Sequence, residues 1–175
     1  MVRPLIVGVA IRIKARNTSI RYPMVKNIKF GSCQCGAVKL SVKTDKLVSY
    51  ICHCLECKKQ SASVFAISVP LVKDHVNITG HLGIYDRSAK SGAMTSCYFC
   101  LTCGSRIYHQ SNRSPDMITL KGGVLDGVEN LEPVAHLWVK RKAAWVQIPP
   151  EIETYDEQPV NLRVWRDGLL SKATQ

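Results

Sequence analysis

No stretch of the chain is apolar for long enough to cross a bilayer as a helix, which takes about 20 consecutive apolar residues. A helical membrane span is therefore excluded, and 46% hydrophobic with 21% charged residues is the composition of a globular domain. Internal repeats and low-complexity tracts are missing too, so nothing subdivides the 175 residues and one compact unit is the default. Also missing is any strongly periodic, capped helical stretch, and strands should dominate.

Acidic residues are absent before Asp45. Residues 1–44 hold nine Lys or Arg and no Asp or Glu, which leaves 15 basic against 13 acidic residues, a net of +2, for the rest of a chain whose formal charge is +11. A near-neutral body without aromatics interleaved among basic residues argues against a nucleic-acid partner. The basic leader, residues 1–28, has a short apolar stretch from Pro4 to Ile11, broken by Arg12, and no A-x-A-like cleavage site. It is expected to be disordered or to lie outside the domain, with translation starting at Met24. Without an export signal the protein is expected in the cytoplasm, where its eight cysteines stay reduced.

Residues 29–50 read as two short strands around a turn, because Val38, Leu40 and Val42 alternate with Lys39, Ser41 and Lys43. "VFAISVPLV" reads as a strand ended by Pro70, and "VNITG" with "HLGIYDR" as a strand pair around Gly80. In "PVAHLWVKRKAAWV", His136, Trp138 and Lys140 alternate against Leu137 and Val139. The tail after Pro149, residues 151–175, reads as irregular.

The cysteines come in short spacings: C-x-C-G at Cys33 and Cys35, C-x-C-x-x-C at Cys52, Cys54 and Cys57, and C-x-x-C-G at Cys100 and Cys103. In a reduced compartment such spacing points to metal rather than disulfides. On a strand, residues i and i+2 share a face, so Cys52 and Cys54 could present both sulfurs together. Glycine after Cys35 and Cys103 lets the chain turn with positive φ and aim its amides at the thiolates. Two half-sites of two cysteines make one closed tetrahedral zinc site, Cys33, Cys35, Cys100 and Cys103. Cys52, Cys54 and Cys57 then remain as three ligands with an open corner, the arrangement of a catalytic zinc. Alternatives are a second structural zinc completed by Cys97 or a histidine, and a register pairing Cys97 with Cys100. Cys97 fits better as a small buried residue, and His53, between two cysteines, as a packed or surface histidine.

The stretches "GSCQCGAVKLSV", "CHCLECKKQSASVFA", "FCLTCGSRIY", "GGVLDG" and "PVAHLWV" resemble, in order, the glutathione-dependent formaldehyde-activating enzymes and their relatives, which include centromere protein V. The resemblance covers roughly residues 29 to 146. It implies a mainly β, tent-like zinc-binding fold of small antiparallel sheets with little helix, spanning residues 29–150. It implies two zinc ions per chain on the cysteine sets above. The activity it implies is addition of glutathione to formaldehyde, giving S-hydroxymethylglutathione, a carbon–sulfur bond-forming step grouped with the lyases. A non-catalytic zinc-stabilised binding module like centromere protein V is the alternative. Two departures stand out: Ala62, where relatives often carry glycine, and Cys97, where they often carry a basic residue. Glutathione brings two carboxylates, so Lys58, Lys59, Arg106, Lys140 and Arg141 are candidate contacts. Tyr108, Trp138 and Trp145 are expected in the core, or one of them in a pocket wall.

Overall fold

The computed structural model describes residues 27–89 and 92–173. The leader through residue 26, and the Met24 start with it, lies outside the described residues, whereas Ile28 opens the first strand. Eleven strands and two α-helices follow: β1 (Ile28–Ser32), β2 (Lys39–Lys43), β3 (Ser49–Cys52), α1 (Leu55–Ser61), β4 (Ala66–Val72), β5 (Val76–Thr79), β6 (Leu82–Ser88), β7 (Met94–Cys100), β8 (Arg106–Ser111), β9 (Met117–Lys121), β10 (Pro133–Leu137), β11 (Glu153–Tyr155) and α2 (Leu162–Ala173). The class is mainly β, as expected. One sheet is small and has the order β1-β2-β5; the other is eight-stranded, β11-β10-β3-β4-β9-β8-β7-β6, and in it β10 pairs parallel to both β3 and β11.

The small sheet is the simplest to derive. In β2, Leu40 and Val42 are buried while Lys39 and Lys43 face water, the alternation a half-buried strand needs. Those side chains, with Val38, pack onto Val69, Leu71, Ile118 and Leu120 of β4 and β9, forming the main core between the sheets. Each such side chain, fully buried, contributes about 1.5–3 kcal/mol.

Several expectations need correcting. Pro70 does not end a strand: β4 continues to Val72 and pairs Pro70 with Thr119 on β9. The β3 pairing reaches only Tyr50 opposite Ser68, so the missing N–H falls where the ladder has already stopped on that side. The segments around Gly80 do not form a hairpin, since β5 joins β2 and β6 joins β7 in different sheets. The alternation through Trp138 is cut short because Trp138 itself takes a left-handed conformation, φ 62, just beyond β10.

The tail is not irregular throughout. Asn161 caps α2, its Oδ1 accepting from the Val164 amide at 3.1 Å. The helix lays Trp165 edge-on against Tyr50, with ring centroids 5.3 Å apart, and buries Leu169 beside Val48. Arg166 donates to the Tyr50 hydroxyl at 3.0 Å, and Arg163 grips Asp116 with two hydrogen bonds, 2.9 and 2.6 Å. The polar tail is thereby fastened to the start of β3, the strand that ends at Cys52.

Candidate metal centre

Two knuckles build the first cluster. The turn from β1 to β2 is held by Cys33 N–H to the Val38 carbonyl and by the Gly36 amide to the Cys33 carbonyl, both 3.0 Å. The turn from β7 to β8 repeats this with Cys100 N–H to the Ser105 carbonyl and the Gly104 amide to the Cys100 carbonyl, both 2.9 Å. Gly36 and Gly104 take φ 74 and φ 73, the left-handed values that a side chain resists. The two turns bring together Cys33, Cys35, Cys100 and Cys103, whose sulfurs all lie within 4.8 Å of one another. The pairs Cys33–Cys35 and Cys35–Cys100 stand at 3.5 and 3.8 Å. A tetrahedron of sulfurs with metal–sulfur bonds of about 2.3 Å has edges of about 3.8 Å, so these thiols fit a tetrahedral thiophilic ion. The Val38 amide donates to the Cys33 sulfur at 3.2 Å, and the Ser105 hydroxyl lies 3.2 Å from that of Cys103. Hydrogen bonds from the Ser105 side chain and from nearby amides bring the Cys103 thiol down to about 5. This cluster thus draws two thiols from the turn of the small sheet and two from the turn of the large one.

The second cluster forms where β3 meets α1. Sequence spacing placed Cys52 and Cys54 on one strand face; instead β3 stops at Cys52 and Cys54 is the N-cap of α1, its sulfur accepting from the Cys57 amide at 3.4 Å. The helix turn swings Cys57 back over the pair, and the three sulfurs lie within 4.8 Å of one another. Cys52 and Cys57 are buried, while Cys54 is half-buried. Hydrogen bonds from Cys52 and Cys57 hold the Cys54 thiol far below its ordinary value, and hydrogen bonds to Cys54 and Cys57, with burial, push that of Cys52 far above. By itself, then, the cluster concentrates charge on Cys54; three thiolates in such a space require a cation between them. No other residue joins this set among the described residues. The other end of α1 explains a departure noted above: Ala62, its C-cap, sits at φ 48, where glycine is the cheaper residue.

The remaining candidates separate cleanly. Cys97 is fully buried, belongs to neither cluster and accepts from Gln60 Nε2 at 3.3 Å, so it is the packed cysteine expected. His53 is also packed, with Nε2 2.9 Å from Nδ1 of buried His136; burial, then the charge of His136, lower it to about 4 and keep it neutral. Among the five cations, Lys58 donates to the Arg141 carbonyl, Lys140 pairs with Glu157, Arg141 lies over the Trp138 ring, and Lys59 faces water. Only Arg106 lines the larger cavity, a space of about 720 Å³ that also exposes Gln34, Gln60, Phe65 and Lys121. Lys121 was not singled out from sequence; a lysine ending an otherwise fully buried strand was the signal. Tyr108 stacks on Tyr98 at 4.1 Å and packs against the core, and Trp138 is half-buried. Trp145 is not core: it is 70% exposed at the rim of a second cavity.

The family model for the glutathione-dependent formaldehyde-activating enzyme matches residues 29–141, more than half of the chain. A Halomonas elongata protein, provisionally named as a glutathione-dependent formaldehyde-activating enzyme, is 29% identical over 126 residues, covering 67% of this chain and 79% of its own length. A crystal structure of a Rhodobacter sphaeroides protein is 23% identical, with a TM-score of 0.45, over 56% of this chain and 88% of that one. No helix among the described residues is long and apolar enough to cross a membrane.

Proposed function

The chain belongs to the glutathione-dependent formaldehyde-activating enzyme family, and on that premise we propose that it joins a small thiol, glutathione first, to formaldehyde or a related small aldehyde. The observation that carries the reading is a cluster of three thiols, Cys52, Cys54 and Cys57, with no fourth protein donor among the described residues, beside a second cluster that has all four. In our reading both clusters hold zinc, two ions per chain, the four-cysteine set structural and the three-cysteine set catalytic. Zinc at the three-cysteine set would supply acidity, keeping a substrate thiol ionised at neutral pH. In the reaction the thiol sulfur forms a bond to the aldehyde carbon, the carbonyl π bond opens, and the thiol proton ends on the new hydroxyl. No other reactant is consumed, and the product from glutathione and formaldehyde is S-hydroxymethylglutathione, a carbon–sulfur lyase step in its reverse direction.

The chain's own residues have defined parts in this. Cys54 stands at the half-buried, accessible edge of the cluster, while Cys52 and Cys57 close its inner side. α1 holds Cys54 and Cys57 in one turn, and the Ser61 hydroxyl, donating to the Cys57 carbonyl at 2.9 Å, braces that turn. The neutral His53–His136 pair behind β3 keeps a further charge out of the interior. Reduced thiols throughout suit the cytoplasm.

The reading is tested by exchange NMR with carbon-13 formaldehyde and glutathione at equilibrium. Catalytic amounts of the zinc-loaded protein are expected to speed exchange between free formaldehyde and the adduct in proportion to enzyme. Exchange at the uncatalysed rate, for glutathione and for other small thiols alike, would refute it.

A further inference from the structure

Lys121 is an anomaly among the buried side chains. It ends β9, is 7% exposed, and its Nζ has no hydrogen-bond partner. Directly across the ladder stands Ser68 on β4, 1% exposed, whose hydroxyl is also unpartnered. Arg106 opens β8 and keeps both Nε and Nη2 buried without partners. Lys121 and Arg106 line the same cavity of about 720 Å³. Asp126, the acidic residue in that wall, is exposed, and the ion pairs of the described residues use Glu157, Asp116 and Asp167 instead.

Two cations turned inward with no carboxylate to meet them are costly, since a buried unpaired charge is disfavoured by several kcal/mol. A ligand that brings its own anion removes that cost. The field bears on a neighbour too: half-buried His109, whose Nδ1 is buried, is held well below its ordinary value by desolvation and then by the charges of Lys121, Arg166, Arg87 and Arg106. The cavity also lies next to the proposed chemistry. One side of its wall carries Cys33 and Ser105 of the four-cysteine knuckles. The other carries Gln60 and Ser61, about one helical turn from Cys57, and Ala66, the strand partner of Cys52, so the cavity reaches the neighbours of the three-cysteine set rather than its sulfurs.

We propose that Lys121 and Arg106 form a carboxylate subsite that holds an anionic end of the substrate thiol while its sulfur reaches the three-cysteine cluster. This rests on the thiol-and-aldehyde reading above and adds to it the two side chains that select a carboxylate-bearing thiol over a plain one. Two parallel N–H donors of a guanidinium and an ammonium beside it suit a carboxylate better than a neutral amide. A rival role exists for Lys121, because its charge also bears on Cys57. That thiol is pulled down by Cys52, pushed up by Cys54 and by burial, and pulled down again by Lys121. Offsetting thiolate charge in this way would help every thiol equally, whereas a carboxylate subsite helps only carboxylated ones.

The test is therefore a ratio. For Lys121→Met and Arg106→Met, kcat/KM with formaldehyde is measured for glutathione and for 2-mercaptoethanol. The glutathione preference is expected to fall by about tenfold or more in each variant, mostly through KM, and to recover in part in Lys121→Arg. An unchanged ratio, even with both activities reduced, would overturn the subsite. Calorimetric titration of the zinc-loaded wild type with glutathione and with its diethyl ester reads the subsite without turnover. Tighter binding of the free acid, lost in Arg106→Met, supports the subsite even if the exchange experiment fails; equal binding of acid and ester overturns it even if the exchange experiment succeeds.

Discussion

Replacing Cys103 with serine is expected to leave the chain unfolded. Cys103 belongs to the cluster in which Cys33 and Cys35 come from the small sheet and Cys100 and Cys103 from the large one, so the cluster spans the core. A closed zinc–thiolate site contributes roughly 10 kcal/mol or more to folding, which is comparable to the whole stability of a domain, about 5–15 kcal/mol. Serine is a poor zinc ligand, so removing one sulfur forfeits most of that contribution at once. Far-UV circular dichroism and a denaturation curve of purified Cys103→Ser decide it. A soluble variant with the wild-type spectrum and midpoint would show that the cluster does not hold the sheets together.

Replacing Cys54 with serine is expected to do the opposite: to abolish activity and keep the fold. The four-cysteine cluster is untouched, and serine at the N-cap of α1 preserves the helix start, because its hydroxyl accepts from the Cys57 amide as the Cys54 sulfur does now. What is lost is one of three ligands, and with it the second zinc. Exchange activity should drop by at least about 100-fold while the unfolding midpoint shifts little. Elemental analysis should then find about one zinc per chain in place of about two in the wild type. A Cys54→Ser protein as damaged in folding as Cys103→Ser would make the second cluster structural and favour the binding-module alternative.

How much of this was legible in the sequence depends on which forces set each feature. Each half of the four-cysteine cluster was readable because its geometry is local: a knuckle needs cysteines at short spacing and a glycine at positive φ, and Gly36 and Gly104 supply it. Membership of the three-cysteine set was readable for the same reason, but its geometry was not. Cys52 and Cys54 looked like strand neighbours, since α1 is a helix of only seven residues and too short to show a period. In α2 the apolar stripe is sparse and Gly168 interrupts it, so the helix follows from tertiary contacts to Tyr50 and Val48 that no local pattern reveals. Asn161 ahead of it was a usable cap signal. Pro70 misled because proline was read as a strand stop, when the ladder position it occupies needs no donor on that side. The pairing of Lys121 with Arg106 in one cavity was out of reach altogether, because it is produced by the register of β8 and β9 and the bulge between β7 and β8.

The central claim is that the three-cysteine cluster holds a metal with one corner open to a thiol. With cobalt in place of zinc, the visible spectrum of the wild-type protein reports the sulfur count at each ion. Glutathione should change the bands of the three-cysteine site, the change should vanish in Cys54→Ser, and S-methylglutathione, which has no thiol to ionise, should leave the spectrum as it was. A spectrum indifferent to glutathione and to every other small thiol, in protein carrying two cobalt ions per chain, would contradict the account.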